Sequence, residues 1–122
     1  MTQCWQQGGE NLENWIFSSY GNHVGQNGRI LGETESGRYF AYVDDSYQHS
    51  LGTALETPLI DVSALTHPGL SFYMLSDNEG GDNVNFSVDV FDGSSWNEAV
   101  FESSENTFAW QKVYVDFSDL NI

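Results

Sequence analysis

Apolar residues along this chain recur at every second position rather than every third or fourth, in short runs parted by Gly, Asn, Asp and Ser clusters. That is the period of a half-buried β-strand, whose successive side chains leave opposite faces. The clearest run spans 83–91: Val84, Phe86, Val88 and Val90 share one phase, and Asn85, Ser87 and Asp89 the other. Leu70, Phe72 and Met74 alternate with Ser71 and Tyr73 just before it, and the intervening 76–82 segment has the composition of a hairpin loop. The two runs are therefore expected to pair antiparallel. Asp92-Gly93 supplies a tight turn with positive φ into a strand through Phe101, which completes a three-stranded meander. Further strands are predicted at 38–44, 54–60 and 108–117, with a weaker one at 15–18. Within 108–117 the apolar phase moves from Phe108 and Trp110 to Val113, Val115 and Phe117, which predicts a bulge near Gln111 and Lys112. Pro58 requires an edge or a bend, and Pro68 marks a turn. No helical stripe, internal repeat or low-complexity linker is visible. Seven or more short strands at this spacing predict an all-β, two-sheet antiparallel β-sandwich.

A length of 122 residues fits one domain, 1–122. Eighteen Asp and Glu against three Lys and Arg leave a net charge of −15, so binding by phosphate neutralisation has almost no cations to work with. Nucleic acid is excluded as a partner on that ground. Acidity alone would be compatible with disorder, but 39% hydrophobic and 15% aromatic residues supply enough buriable surface to fold. No apolar run approaches the roughly 20 residues that span a bilayer, so membrane insertion is not expected, and residues 1–9 lack signal-peptide character.

Cys4 is the single cysteine, which rules out an intrachain disulfide and leaves packing or a bound ion to stabilise the fold. The scarcity of cations, limited to Arg29, Arg38 and Lys112, suits salty or calcium-rich surroundings and points to an extracellular or cell-surface location.

No nucleophile elbow, Ser-x-x-Lys, phosphate loop or His-Glu-x-x-His occurs, and His23, His49 and His67 have no mutual metal spacing. A jelly-roll glycoside hydrolase would need two carboxylates across a cleft, and 18 carboxylates offer such pairs by chance alone. A noncatalytic protein is the expectation. Calcium is the more credible chemistry, since a hard cation takes six to eight oxygens and acidic loops supply them. Two clusters qualify: Asp77, Asn78, Glu79 and Asp82 around Gly80-Gly81, and Glu33, Glu35, Asp44 and Asp45. Tyr39, Tyr42, Tyr73 and Tyr114 lie in strands, and Tyr73 and Tyr114 share the polar phase with Ser71 and Asp116. A polar face bearing aromatic platforms is the kind on which sugar rings stack while amides and carboxylates bind hydroxyls.

Three runs in this order carry a family resemblance: Gly37-Arg38-Tyr39-Phe40-Ala41-Tyr42-Val43-Asp44, Thr53-Ala54-Leu55-Glu56-Thr57-Pro58-Leu59-Ile60, and Leu70-Ser71-Phe72-Tyr73-Met74. With Trp96 and Trp110-Gln111-Lys112-Val113 following, the chain resembles the MAM domain, and through its lack of paired cysteines the disulfide-free bacterial relatives and the cleaved-adhesin jelly rolls. Cys4-Trp5-Gln6 and Leu12-Glu13-Asn14-Trp15 resemble that family's opening more loosely, with Gln6 where an acidic residue is usual. The resemblance implies a concanavalin-like jelly roll that binds glycans or other proteins at a cell surface and performs no chemistry. It favours Glu33, Glu35, Asp44 and Asp45 as the calcium site over the Asp77 to Asp82 loop. The family continues past the Trp-x-x-Val strand, so the resemblance also implies a domain incomplete at its C-terminus. An open sheet edge near 108–117 would then recruit another strand, with a homodimer as one outcome. The expectation is a recognition or adhesion module, most sharply a carbohydrate-binding one, then a structural or assembly module of a larger surface protein, then a hydrolase.

Overall fold

A computed structural model describes residues 4–9, 15–18, 40–43, 52–76, 85–105, 107 and 109–122. Its regular elements are all strands: β1 (Gln6–Gly9), β2 (Ile16–Ser18), β3 (Phe40–Tyr42), β4 (Thr53–Glu56), β5 (Gly69–Met74), β6 (Phe86–Phe91), β7 (Trp96–Ser103) and β8 (Gln111–Asp116). Among the described residues they form four antiparallel pairs, β1–β4, β2–β3, β5–β8 and β6–β7. The all-β reading holds. The chain divides into two compact units, Met1–Ile60 and Asp61–Ile122.

In the first unit, β1 and β4 pair from Gln6↔Glu56 to Gly9↔Thr53, and β2 and β3 from Ile16↔Tyr42 to Ser18↔Phe40. Phe40 and Tyr42 point to the same side of β3, are buried, and bring their rings to 5.9 Å. The Gln7 side-chain amide acts as a two-point brace: Nε2 donates to the Trp15 carbonyl and Oε1 accepts from the Trp15 N–H, each at 2.9 Å. It thus matches a backbone strand partner where the chain enters β2. β4 ends at Glu56 instead of running to Ile60, because Pro58 has no N–H to give a ladder. β1 is a strand that alternation did not reveal, as Gln-Gln-Gly-Gly carries no apolar phase.

The second unit holds the strongly alternating segments. β5 and β6 each alternate strictly between outward and inward residues, with Leu70, Phe72 and Met74, and Phe86, Val88 and Val90, turned inward. The rings of Phe72, Phe86 and Phe101 meet at 5.6, 6.0 and 6.3 Å, which ties β5 to the β6–β7 hairpin through side chains. Val115 on β8 is buried as well.

Two expectations about pairing are corrected here. β5 pairs with β8, not with β6, so the three-stranded meander reduces to the β6–β7 hairpin. Thr107, only 3% exposed, fixes this arrangement beyond the ladder. Its N–H donates to the Ser76 carbonyl at 2.8 Å and its Oγ1 accepts from the Ser76 N–H at 2.7 Å. The irregularity expected at Gln111 and Lys112 lies just upstream. The β5–β8 register is unbroken from Met74↔Gln111 to Gly69↔Asp116, and continuing it would oppose Ser76 with Ala109, whereas Ser76 bonds Thr107. Two extra residues are therefore absorbed between Thr107 and Gln111.

A real bulge sits in β7. Val88 faces Phe101 and Val90 faces Asn97, so Glu98, Ala99 and Val100 oppose Asp89 alone. Ala99 takes φ +51°, a left-handed conformation costly to a residue with a Cβ, and its N–H donates to Asp89 Oδ1 at 2.8 Å. The hairpin closes through Asp92-Gly93-Ser94-Ser95, with Gly93 at φ +99° as the Asp-Gly pair predicted. Asp92 accepts bonds from the Ser94 and Ser95 N–H groups, both hydroxyls and the Asn97 amide. The Ser95 and Ser94 amides foremost hold its carboxyl far below the usual carboxylate range.

Candidate functional site

The unbroken β5–β8 ladder sorts its residues cleanly onto two faces. Leu70, Phe72, Val113 and Val115 fall on the inner one, and the outer one carries the pairs Gly69↔Asp116, Ser71↔Tyr114 and Tyr73↔Lys112. Tyr73 is 41% and Tyr114 61% exposed. Directly opposite residues in such a ladder stand about 5 Å apart at Cβ, with diagonal neighbours at about 7 to 8 Å. Two tyrosines, a lysine, a serine and a carboxylate are thereby gathered on one small exposed face.

Gly69 sets the attitude of the Tyr114 ring. A Cβ at position 69 would stand 2.6 Å from Tyr114 Oη, 2.8 Å from Cζ and 2.9 Å from Cε2, so only glycine lets the ring lie across the backbone of β5. One part of the ring is covered by the strand while much of the side chain stays open to solvent. The neighbouring Asp116 carboxyl is held below its ordinary range chiefly by the Ser118 hydroxyl and then the Ser118 N–H, with His67 acting in the same direction. Both Ser118 bonds fall on Oδ1, which leaves Oδ2 as an acceptor among the described residues.

The remaining candidate residues are distributed as follows. Tyr42 is buried against Phe40 and offers solvent little of its ring. Tyr39 lies outside the described residues, as do Glu33, Glu35, Asp44, Asp45, Asp77, Asn78, Glu79 and Asp82, so neither calcium cluster has a described geometry. Among the described residues no group of three or more His, Cys, Asp or Glu is placed to share a metal ion. No helix there is long and apolar enough to cross a membrane. A shallow cleft of about 390 Å³ opens beside the end of β7 and the start of β8, with Met74, Phe101 and Val113 on its apolar side and Glu102, Glu105 and Gln111 on its polar side.

Two features escaped the linear reading. Trp96 is 54% exposed and meets Phe91 at 5.4 Å on the outer side of the β6–β7 hairpin. The signal was present: Phe91 shares the phase of Ser87 and Asp89, and a four-residue turn makes Trp96 its cross-strand partner. The second is a repeated turn, Asp61-Val62-Ser63-Ala64-Leu65 and Asp116-Phe117-Ser118-Asp119-Leu120. In each, the Asp accepts from the Ser N–H two residues on, and the Leu N–H donates to the carbonyl three residues back. These Asp-apolar-Ser-x-Leu segments flank the β5–β8 pair in sequence, and the second ends β8 beside the Tyr114 face.

Comparison with known proteins gives no matching family model, no matching curated protein and no matching solved structure.

Proposed function

We propose that the chain is a noncatalytic recognition module that binds carbohydrate on the outer face of β5 and β8. The observation that carries this reading is the Tyr114 ring laid across Gly69, on the face that also carries Tyr73, Ser71, Lys112 and Asp116. Pyranose C–H faces stack on open aromatic rings, and the surrounding hydroxyl, ammonium and carboxylate groups pair with sugar hydroxyls. The wider reading is a jelly-roll β-sandwich resembling the MAM and cleaved-adhesin modules, at a cell surface, with one structural calcium at Glu33, Glu35, Asp44 and Asp45 or, second, in the Asp77 to Asp82 loop. The alternating segments of the second unit and its inward ring cluster support the sandwich part of that reading.

A glycan array followed by retardation in polysaccharide gels tests the binding face. Saturable binding to one sugar class is expected, with Tyr114→Ala weakening it by at least about fivefold, the scale of an interface anchor. Gly69→Ala should weaken it too, by lifting the ring while leaving every polar group in place. A blank array overturns the proposal. For the ion, the melting temperature should rise with the logarithm of free calcium, by an amount equivalent to about 2.7 kcal/mol at 100 times the dissociation constant. Equal melting in calcium, magnesium and excess chelator removes the calcium.

A further inference from the structure

Resting on that glycan-binding reading, we infer that the β5–β8 face selects acidic sugars, with the Lys112 ammonium, directly across from Tyr73, receiving a uronic-acid carboxylate. The second unit, residues 61–122, contains one strong cation among eleven carboxylates, and that cation is Lys112. It stands directly across from Tyr73 and two residues before Tyr114, with its side chain exposed. Surplus carboxylates give a lone lysine every opportunity to be neutralised, yet Lys112 forms no ion pair among the described residues. The acid nearest along its own face is Asp116, four residues on, or about 13 Å at strand rise. That separation exceeds the Debye length of about 8 Å at physiological salt, and Asp116 is already committed in part to Ser118. A cation without an ion pair among the described residues thus shares one face with two exposed tyrosines, which is the combination a sugar carboxylate requires. A neutral sugar would be served equally well by an amide at this position.

Overall charge does not prevent this. At 0.15 M salt the remote carboxylates are screened over that same distance, while a contact pair is screened far less. Discrimination should match the modest strength of an exposed ion pair, about twofold to fivefold in affinity.

The test compares oligosaccharides of polygalacturonate, polyglucuronate and alginate with their carboxyl-reduced forms, in 0.15 M salt, alongside the glycan array. The expected result is tighter binding of at least one acid form over its reduced counterpart by about twofold to fivefold. Lys112→Gln should erase that ratio, and Lys112→Arg should keep it. Binding of neutral array sugars without any preference for an acid form overturns the inference and leaves the glycan-binding reading standing. No binding to any glycan overturns both. A Lys112→Gln protein that self-associates while its acid preference is unchanged also overturns the inference, and assigns Lys112 to guarding a strand edge.

Discussion

The β5–β8 and β6–β7 pairs of the second unit are built from equally regular alternation, yet they spend their polar groups differently. β5–β8 keeps six consecutive pairs in register, and of its outer-face polar side chains Asp116, held by Ser118 through one oxygen, is the one seen engaged among the described residues. β6–β7 accommodates three residues against one, and its outward carboxylates are drawn into holding the backbone: Asp89 pins the strained Ala99 amide, and Asp92 gathers five donors at the turn. Asp92, with both oxygens engaged, has little capacity left for a ligand. An uninterrupted ladder leaves most of its outer polar side chains to solvent, whereas this bulged one uses its carboxylates to hold its own backbone.

The largest effect expected from disturbing this contrast is at the shared side. Phe72→Ala removes the ring that touches both Phe86 and Phe101, and should cost about 3 kcal/mol, the lower end for a phenylalanine truncation because these rings are half-buried. Hydrogen exchange should accelerate in both ladders. A loss below about 1 kcal/mol would mean that the pairs stand independently.

A smaller effect separates the two pairs. Ala99→Gly relieves the positive φ of the β7 bulge and should stabilise by about 0.5 to 1 kcal/mol after the added freedom of the unfolded chain is counted. Ala99→Val, β-branched at the same φ, should act in the opposite sense. Denaturant melts of the two variants give the sign directly, and a gain from valine would show that the bulge is not strained.

The smallest effect is in acid. Asp92 has its folded pKa depressed below the ordinary 3.8, so its stabilisation is complete above that value and is lost as pH falls below it. The melting-temperature gap between wild type and Asp92→Ala should be full at pH 7 and close progressively below about pH 4. A gap that persists unchanged at pH 2 would trace the stabilisation to something other than the ionised carboxylate.

Much of the candidate face was legible beforehand for a local reason. Tyr73 and Tyr114 share a phase with Ser71 and Asp116, and phase alone puts residues on one side of a strand. The Asp-Gly turn was legible likewise, since positive φ at Gly93 depends on a single residue's backbone freedom. The repeated Asp-apolar-Ser-x-Leu turn was equally local and went unseen because its two copies share only three identical residues.

What the sequence by itself determined is the alternation: that the chain is built of strands, which residues of β5, β6 and β8 turn inward, and where the hairpin turns. The choice of partner belonged to the tertiary structure, because period-two patterns are identical in every strand and carry no information about which strand lies alongside. The alternation of β5 would have matched β6 as well as β8. The rings of Phe72, Phe86 and Phe101 and the Ser76–Thr107 bonds accompany the pairing actually adopted, and no short window of sequence contains both ends of those contacts. The same holds for the platform itself. That Tyr114 is a tyrosine on a polar phase is written in its own strand, but that its ring lies open across a backbone depends on a glycine 45 positions away, brought diagonally beneath it by the β5–β8 register.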